Sequence, residues 1–316
     1  AAWGPPAPEP PRAMHEVAWV YRPVKAEWGR KGTLRVTNRQ SFVGLEAFDA
    51  RWTLLVDGAA VKTGKLKLPK LAGHQSVEVP LPVAIPAGTG QVLLSVCFTL
   101  KRATWYADAG HLVAWDQVEL RTAKPAKLGR FRPNHEPAAI DELLASPIEL
   151  CLFRAPVDND GFKLMPELSR RIRVGGTAFV HWQDLGLDRL PADELVGHTW
   201  ERGSSGDIVE YRHRVVVPEQ LSDLARVGVT FQLPAGFEQL RWFGRGPFEN
   251  YPDRNRGALL GVWEGSPDRP PYLVPQEFGL RTDCRWFEFT SPATGRTVRL
   301  DVVQPAALHV SATHFT

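Results

Sequence analysis

The sequence is poor in cysteine, and this scarcity argues against two kinds of protein. Its 316 residues contain three cysteines, Cys97, Cys151 and Cys284. They are widely spaced, odd in number and without a CxxC pair, which argues against a disulfide framework and against a structural zinc site. Free thiols are typical of a reducing compartment, so we expect a cytoplasmic protein.

Long apolar runs and an excess of one charge are also missing. No apolar stretch approaches membrane-spanning length, and the Pro-rich N-terminus lacks a signal-peptide pattern. The net charge is +3, from 38 basic and 35 acidic residues that are interspersed, and the run Arg212–Arg214 is interpreted as a solvated strand face. We therefore expect no membrane and no nucleic-acid partner. The nine histidines lack metal-ligand spacing, so we predict no metal site.

What the sequence does contain is a hydrophobic period of two. Apolar and polar residues alternate over residues 48–56, which predicts a half-buried strand, and the pair Asp57-Gly58 that follows is one that tight hairpins favour. A second alternating run covers residues 92–100. Short strands of this kind, separated by turn signals, predict an immunoglobulin-like β-sandwich over residues 23–121.

The remainder of the chain is predicted to contain two linkers and a second domain. Residues 1–22 are rich in proline, which fits regular structure poorly, and are interpreted as a linker. Residues 122–146 form a second linker, with one or two helical turns after Pro137. Alternation resumes over residues 147–316, apart from a short helix predicted at Pro166–Arg173. The predicted fold class is therefore all-β, with two sandwiches of which the second is larger.

The stretch FRAPVDND is the first polar motif of the second domain. It contains Arg154 and the run Asp158, Asn159 and Asp160. A calcium loop has a third aspartate and a later glutamate at fixed spacing, and these are missing here. Two interpretations stay open: a turn whose side chains bind neighbouring backbone N–H groups, or a loop that docks on a partner with Arg154 paired to a carboxylate.

The stretch RWFGRGPFENYPDRNRG is the second motif, and it carries Glu249, Asp253 and Arg254. The two carboxylates are candidates for an acid/base pair, which a retaining glycosidase holds about 5–5.5 Å apart. The alternative is a structured turn in which Asn250 and Tyr251 cap backbone groups. Sequence spacing favours this alternative.

The stretch VPQEFGLRTDCRWFEF is the third motif. Glu277, Arg281 and Asp283 alternate around Gly279, which predicts a polar strand face at a cleft or an interface. The alternative, a ladder of ion pairs that faces solvent, is equally compatible with the pattern. Cys151 and Cys284 lie among apolar or aromatic residues, which raise the pKa of a thiol and make it inert.

Together these motifs resemble the C-terminal third of the β-galactosidases of glycoside hydrolase family 2. Four stretches occur in the order of that family: TWYADAGHLVAWDQVEL, FRAPVDND, WFGRGPFENYPDR and YLVPQEFGLRTDCRW. PPRAMHEVAWVYRPV, near the N-terminus, resembles the exit from the catalytic barrel of the family. The resemblance extends over roughly residues 10–316.

The resemblance implies that an immunoglobulin-like domain is followed by a galactose-mutarotase-like supersandwich. The family's catalytic carboxylates lie on a (β/α)8 barrel, which takes about 250 residues of alternating strand and helix, and no such pattern is present here. We therefore expect this chain to be part of a longer enzyme. In that case residues 1–22 lead out of the barrel, and residues 147–316 form an incomplete sandwich.

The resemblance also implies a function for the parent enzyme, the hydrolysis of terminal non-reducing β-D-galactose residues, including those of lactose. This chain alone is expected to be inactive and to brace the barrel, with Arg154, Asp158, Asn159 and Asp160 in a loop at the rim of the sugar pocket. Polar residues of the other two motifs are expected at a sugar cleft: Glu249, Asp253, Arg254, Glu277 and Arg281.

The expected partners are the barrel, the β-galactoside substrate in the parent enzyme and further copies of the chain in a homo-oligomer. The family binds magnesium and sodium at barrel sites, so no cofactor is expected in this chain.

Two alternatives to this function stay open. Mutarotase-like sandwiches also occur in aldose epimerases, in which a Glu base and a His acid act together, and Glu249 or Glu277 is a candidate base. The other alternative is a carbohydrate-binding module, because the chain has 11 tryptophans that offer stacking surfaces for sugar rings. Trp105, Trp115, Trp242, Trp263 and Trp286 are examples, although most tryptophans in alternating strands are core residues.

Overall fold

The computed structural model describes residues 13–30, 32–124, 132–134, 136–161, 177–221, 223–267, 277–303 and 307–313. Antiparallel β-strands dominate these residues, which confirms the predicted all-β fold class. The helix predicted at Pro166–Arg173 lies outside the described residues. No helix in the described part of the chain combines the length and the apolar character needed to cross a lipid bilayer.

The N-terminal part of the described chain consists of one helix and two antiparallel sheets. The elements, in order, are α1 (Ala13–Val20), β1 (Val24–Trp28), β2 (Thr33–Asn38), β3 (Phe48–Val56), β4 (Ala59–Leu66), β5 (Ser76–Pro80), β6 (Val92–Leu100) and β7 (Leu112–Arg121). One sheet has the strand order β1-β2-β5, and the other has the order β4-β3-β6-β7. Both sheets contribute to a single core, so they form a sandwich.

The core of this sandwich is built by the alternation that the sequence shows. In β3 the buried residues are Phe48, Ala50, Trp52 and Leu54, and the residues between them are exposed or half-buried. Strand β6 contributes Phe98 and its alternating neighbours to the same core. Burying one large apolar side chain contributes about 1.5–3 kcal/mol, so this pattern is the main source of stability in the sandwich.

The hairpin between β3 and β4 turns at Asp57-Gly58, the pair predicted from the sequence. Asp57 has φ +48° and Gly58 has φ +79°, the left-handed conformation that such a turn requires. Gly58 is needed for a second reason, because a Cβ at this position would lie 2.5 Å from the ring of Phe243. The carbonyl of Gly58 accepts a hydrogen bond from Val262 N–H at 3.0 Å. The turn therefore packs directly on the second part of the chain.

The C-terminal part contains shorter sheets. Its elements among the described residues are β8 (Glu149–Cys151), α2 (Ala178–Asp184), α3 (Ala192–Leu195), β9 (Gly197–Ser205), β10 (Ile208–Val216), β11 (Gly228–Thr230), β12 (Gln239–Gly246), β13 (Leu259–Gly265), β14 (Leu280–Cys284), β15 (Trp286–Thr290), β16 (Thr297–Asp301) and β17 (Leu308–Ser311). A four-stranded sheet has the order β13-β12-β15-β16, and the pairs β8–β11, β9–β10 and β14–β17 complete the pattern. Two cores are found here, one around Trp182 and one around Trp242.

Two local features concern helical structure in the C-terminal part. The stretch after Pro137 forms hydrogen-bonded turns, in which the N–H groups of Leu143 and Leu144 both reach the carbonyl of Ile140, in line with the one or two helical turns expected there. Helix α2 was not predicted, because its seven residues are too few to show a helical period clearly. The predicted domain boundaries stay a prediction.

Helix α1 lies within the predicted N-terminal linker and connects the two parts of the chain. The Glu16 carboxylate accepts the N–H of Gly257 at 2.7 Å. The His15 ring stacks on Phe248, with ring centres 4.2 Å apart. Both partners belong to the C-terminal part, so α1 is bound there before the chain enters the first sandwich at β1.

A buried ion pair joins the end of this connection to the first sandwich. The Arg22 guanidinium bonds both oxygens of Asp116, with Nε–Oδ2 at 3.1 Å and Nη2–Oδ1 at 3.0 Å. The N–H of Ala26 donates to the same carboxylate at 2.7 Å, and the guanidinium stacks 3.8 Å from the ring centre of Trp19. Burial raises the pKa of Asp116, and the contacts with Ala26 and Arg22 oppose that rise.

Direct hydrogen bonds between β7 and the C-terminal part fix the two parts relative to each other. The indole N–H of Trp115 donates to the carbonyl of Gly257 at 2.8 Å. The Gln117 amide bonds the backbone of Leu260 twice, donating to its carbonyl at 2.8 Å and accepting its N–H at 2.9 Å. A two-point contact of this kind fixes orientation as well as distance.

The β9–β10 hairpin carries a pair of stacked histidines. The rings of His198 and His213 are nearly parallel, with centres 5.4 Å apart and Nε2 of His198 3.1 Å from Nδ1 of His213. Asp193 of α3 contacts Nδ1 of His198 at 2.7 Å. Burial, and secondly the nearby His198, lower the pKa of His213. The interpretation of residues 212–214 as a solvated face therefore fails for His213, because its ring packs on His198.

We expect Arg22→Ala to lower the free energy of unfolding by about 3–5 kcal/mol, because the substitution leaves Asp116 buried without its counter-charge. Chemical denaturation followed by tryptophan fluorescence measures this change. Arg35→Ala is the control, since it breaks the more exposed Arg35–Glu78 pair (3.1 Å) and is expected to have little effect. Equal losses in the two variants would contradict a special role for the buried pair.

We expect the free energy of unfolding to decrease as the pH falls below the ordinary histidine pKa of 6.5, in part because of His213. The folded state favours the neutral ring, so the unfolded state binds a proton first and gains stability in that range. Denaturation curves between pH 8 and pH 5 should show a shallower pH dependence in His213→Gln than in the parent chain. The exposed His111→Gln is the control, and an unchanged slope in His213→Gln would contradict the assignment.

Candidate functional site

The FRAPVDND motif is held closed by a bidentate ion pair. Arg154 donates to both oxygens of Asp160, with Nη1–Oδ2 at 2.7 Å and Nη2–Oδ1 at 3.1 Å. The same carboxylate accepts the N–H of Val157 at 2.8 Å and is almost fully buried. Charge-assisted bidentate bonds are among the strongest hydrogen bonds in proteins. We call this unit, made of Arg154, Val157 and Asp160, the Arg154–Asp160 clamp.

The clamp is anchored in the core of the C-terminal part. The Arg154 guanidinium lies 5.0 Å from the ring centre of Trp182 on α2, within cation–π range. Trp182 is 3% exposed, and its indole N–H donates to the carbonyl of Asp223 at 3.0 Å. The position of Arg154 is therefore set by a buried aromatic ring as well as by Asp160.

The other residues of the motif occupy different environments. Asn159 is exposed on a short 3-10 turn that spans Asp158–Asp160. The side chain of Asp158 lies outside the described residues. Gly161 ends the turn with φ +91°, and a Cβ there would come within 2.4 Å of the side chain of Thr177. Arg154 and Asp160 are thus used inside the loop, while Asn159 faces outward.

Glu249, from the second motif, is fully buried. Its Oε2 accepts the N–H of Gly279 at 2.7 Å, and its Oε1 lies 3.5 Å from Nη2 of Arg254. A buried carboxylate is costly unless donors compensate it, and here a backbone N–H from the third motif supplies one. Glu249 therefore connects the second and third motifs.

Asn250 makes the same connection with four side-chain hydrogen bonds. Its Oδ1 accepts the N–H and the hydroxyl of Thr282, at 3.1 and 2.5 Å. Its Nδ2 donates to the carbonyls of Arg245 and Phe248, at 3.2 and 2.9 Å. Every donor and acceptor position of the amide is used. This geometry agrees with the backbone-capping role given above as the alternative for Asn250.

The remaining residues of the predicted sugar cleft do not form one accessible group. Arg281 is 4% exposed and donates to the carbonyl of Gly279 at 2.7 Å, with its guanidinium 4.9 Å from the ring centre of Trp242. Glu277 forms an ion pair with Arg226 at 2.6 Å. Asp253 is exposed, and Arg254 is half-buried. Their assignment to a sugar cleft stays a prediction.

An ion pair of Arg245 with Asp283 lies beside this network and was not predicted from the sequence. Nε of Arg245 is 2.5 Å from Oδ2 of Asp283, and its Nη1 donates to the carbonyl of Ala258 at 2.9 Å. Asp283 has φ +55°, an unusual conformation for a residue other than glycine. The sequence contains one sign of this ion pair, which is the arginine between the two glycines of RWFGRG.

The apolar environment predicted for Cys284 is confirmed. Its side chain is fully buried, and burial raises the pKa of the thiol to about 12. A thiol of this kind does not act as a nucleophile at neutral pH. Among the described residues, no group of three or more His, Cys, Asp or Glu side chains is arranged to hold a metal ion.

The tryptophans proposed as sugar-stacking surfaces differ in their accessibility. Trp242 is fully buried, and Trp115 is 8% exposed with its N–H bonded across to Gly257. Trp263 donates to the carbonyl of Gly244 at 3.2 Å. Trp105 is 95% exposed. Of these four residues, only Trp105 presents most of its ring to solvent.

Two family models match the chain. Residues 134–316 match the family described as the β-galactosidase small chain, and residues 34–121 match the one described as β-galactosidase, domain 4.

Curated relatives of this chain are named β-galactosidase, the enzyme that also appears in the descriptions of the two family models. The β-galactosidase of Arthrobacter sp. (strain B7) is 31% identical over 76% of this chain and 29% of its own length. The β-galactosidases of Priestia megaterium and Vibrio vulnificus are 28% and 27% identical, each over 87% of this chain and over 31% and 32% of their own lengths. The chain thus spans about a third of the length of the relatives that it matches.

We expect Glu249→Gln to lower the free energy of unfolding by about 1–3 kcal/mol, since a neutral amide binds Gly279 N–H and Arg254 less strongly than a carboxylate. Urea denaturation measures the loss. Asp253→Asn is the matched control from the same motif, and we expect no measurable change because Asp253 is exposed. If both variants are as stable as the parent chain, Glu249 has no structural role of this kind.

Proposed function

The chain belongs to the β-galactosidase small-chain family, and from this we propose that it is the non-catalytic C-terminal region of a β-galactosidase. The proposed reaction of the whole enzyme is the hydrolysis of terminal non-reducing β-D-galactose residues, including those of lactose. The catalytic carboxylates are proposed to lie in the part of the enzyme for which this chain has no counterpart.

This proposal rests on one observation: the carboxylates of the polar motifs are bound by other groups of the same fold. Asp160 is bound by Arg154 and by a backbone N–H, and Glu249 is bound by Gly279 N–H and is closed off from solvent. A retaining glycosidase needs two carboxyl groups that both reach the sugar, about 5–5.5 Å apart. Glu249 is buried while Asp253 is exposed, so they do not offer such a pair.

The proposed contribution to the sugar pocket comes from the loop that the clamp supports. The Arg154–Asp160 clamp fixes the backbone of the turn without using Asn159, which faces outward. A rim residue must be held in position by a rigid neighbour to help orient a substrate. We therefore assign loop-fixing roles to Arg154 and Asp160, and the contact with the rest of the enzyme to the exposed side of this turn.

The other motif residues are likewise divided into those that act inside the fold and those that are accessible from outside. Glu249 and Arg281 are proposed to shape the second and third motifs from inside, and Asp253 and Arg254 to be the residues that a sugar or a neighbouring domain can reach. We propose that the partners of this region are the catalytic barrel and further copies of the enzyme, and that this chain holds no cofactor.

The purified chain is expected to show no hydrolysis of a chromogenic β-galactoside above the buffer blank. A positive result would overturn the non-catalytic assignment if the activity co-purified with the chain and was abolished by Asp158→Ala, Asp160→Ala or Glu249→Gln.

The loop-fixing role is tested in a chimera of the Arthrobacter relative whose matching region is replaced by this chain. Asp160→Asn weakens the clamp, so we expect kcat/KM to fall several-fold through a higher KM, because the rim loop loses its fixed shape. Asp301→Asn, an exposed surface change, is the control. An active chimera with identical KM values in both variants would contradict the rim role.

A further inference from the structure

A polar cleft of about 440 Å³ lies between the first sandwich and the C-terminal part. Its size is within the range of small-ligand sites, and domain interfaces are a common location for them. The first sandwich contributes Gln91 and Glu119, the C-terminal part contributes Arg256 and Arg285, and Trp19 also lines it. No residue of the Arg154–Asp160 clamp lines this cleft, so it is separate from the site described above.

Two guanidinium groups in the cleft, those of Arg256 and Arg285, make no ion pair with a carboxylate among the described residues. Arg285 donates to the backbone carbonyl of Asp283 and packs 5.3 Å from the ring centre of Phe243, but it makes no ion pair with any described residue. Arg256 is exposed and makes neither a hydrogen bond nor an ion pair within the described part of the chain. The neighbouring Arg245, by contrast, is bound to Asp283 at 2.5 Å.

The unpaired state of Arg285 has an electrostatic cost that a ligand would relieve. Burial lowers the pKa of Arg285, and repulsion by Arg245 adds to this effect. The attraction of Asp283, and more weakly that of Glu119, only partly opposes it. A guanidinium has five N–H donors in a planar arrangement that matches an oxyanion. The backbone carbonyl of Asp283 uses only part of this capacity, so donors are left for a ligand.

The wall of the cleft that belongs to the first sandwich supplies a hydrogen-bond acceptor. Glu119 accepts the Gln91 amide at 2.5 Å and makes no ion pair with a described residue. Asp116 and Asp283 also line the cleft, but Arg22 and Arg245 already neutralise them. The charges that have no ion-pair partner are therefore two arginines and one glutamate, which leaves one net positive charge.

The walls of the cleft are held at a fixed spacing. The two hydrogen bonds between Gln117 and the backbone of Leu260 lie in its lining, and the bond from Trp115 to Gly257 supports the same interface. A site whose walls are already fixed spends less free energy on ordering when a ligand binds.

We propose that this cleft binds a small polyhydroxylated anion of about monosaccharide size. Its oxyanion is held between Arg256 and Arg285, and one of its hydroxyl groups donates to Glu119. An oxyanion alone would meet the carboxylate of Glu119, and a neutral sugar would leave both guanidiniums without an ion-pair partner. A ligand that combines one anionic group with hydroxyl groups matches both walls. The proposal rests on the cleft alone and is independent of the proposed function.

Three ligands with one sugar skeleton test this proposal by isothermal titration calorimetry at low ionic strength: galactose, galacturonate and galactose 6-phosphate. We expect at least one of the two anions to bind at least tenfold more tightly than galactose, with an affinity that falls as salt is added. The tighter of the two identifies the oxyanion as a carboxylate or a phosphate. Equal binding of all three ligands, or no binding of either anion, would overturn the proposal.

Matched variants locate the binding. Arg256→Gln should weaken the anion about tenfold or more, because it removes charge-assisted hydrogen bonds from a side chain that the fold does not use. Glu119→Gln should weaken the anionic sugar less than Arg256→Gln does. Arg296→Gln, at an exposed arginine that does not line the cleft, should leave the affinity unchanged. Binding that is the same in Arg256→Gln and Arg296→Gln would place the ligand elsewhere and refute the site.

Discussion

The need to supply donors to buried carboxylates is the constraint on which this structure depends. Among the described residues, three acidic residues are classed as buried, and each is bound by an arginine together with a backbone N–H: Asp116, Asp160 and Glu249. An unpaired carboxylate in the interior costs several kcal/mol, so each of these groups fixes the segments that carry its donors.

The two glycines of RWFGRG, Gly244 and Gly246, also help to bring the motifs together, because they allow close packing. A Cβ at Gly244 would lie 2.8 Å from Sγ of Cys284, and one at Gly246 would lie 2.6 Å from the ring of Trp263. Strand β12 can therefore approach its neighbours only because these positions lack side chains. The close approach brings the backbone of the second motif within hydrogen-bonding distance of the third, where Asn250 and Glu249 complete the connection.

Sequence reasoning succeeded where a structure is set by neighbouring residues and failed where it is set by distant ones. The strand over residues 48–56 and the turn at Asp57-Gly58 follow from local periodicity and local φ preferences, and both are present. The partners of Asp116 and Glu249 lie 94 and 30 residues away, so no local pattern shows whether these carboxylates are buried. The sequence marked Glu249 as chemically interesting but left open what it binds.

The contrast between Glu249 and Glu119 shows how burial separates structural from functional groups. Glu249 is fully buried and its bonds all lie within the fold, so it has no capacity left for a ligand that arrives from solvent. Glu119 lies outside the three polar motifs, in the stretch TWYADAGHLVAWDQVEL, yet it is exposed beside two arginines that make no ion pair with any described residue. A dense polar motif therefore contains both buried residues with a structural role, such as Glu249, and exposed ones, such as Asp253. The proposed ligand site rests on a different signal, which is charge at an accessible interface that makes no ion pair among the described residues.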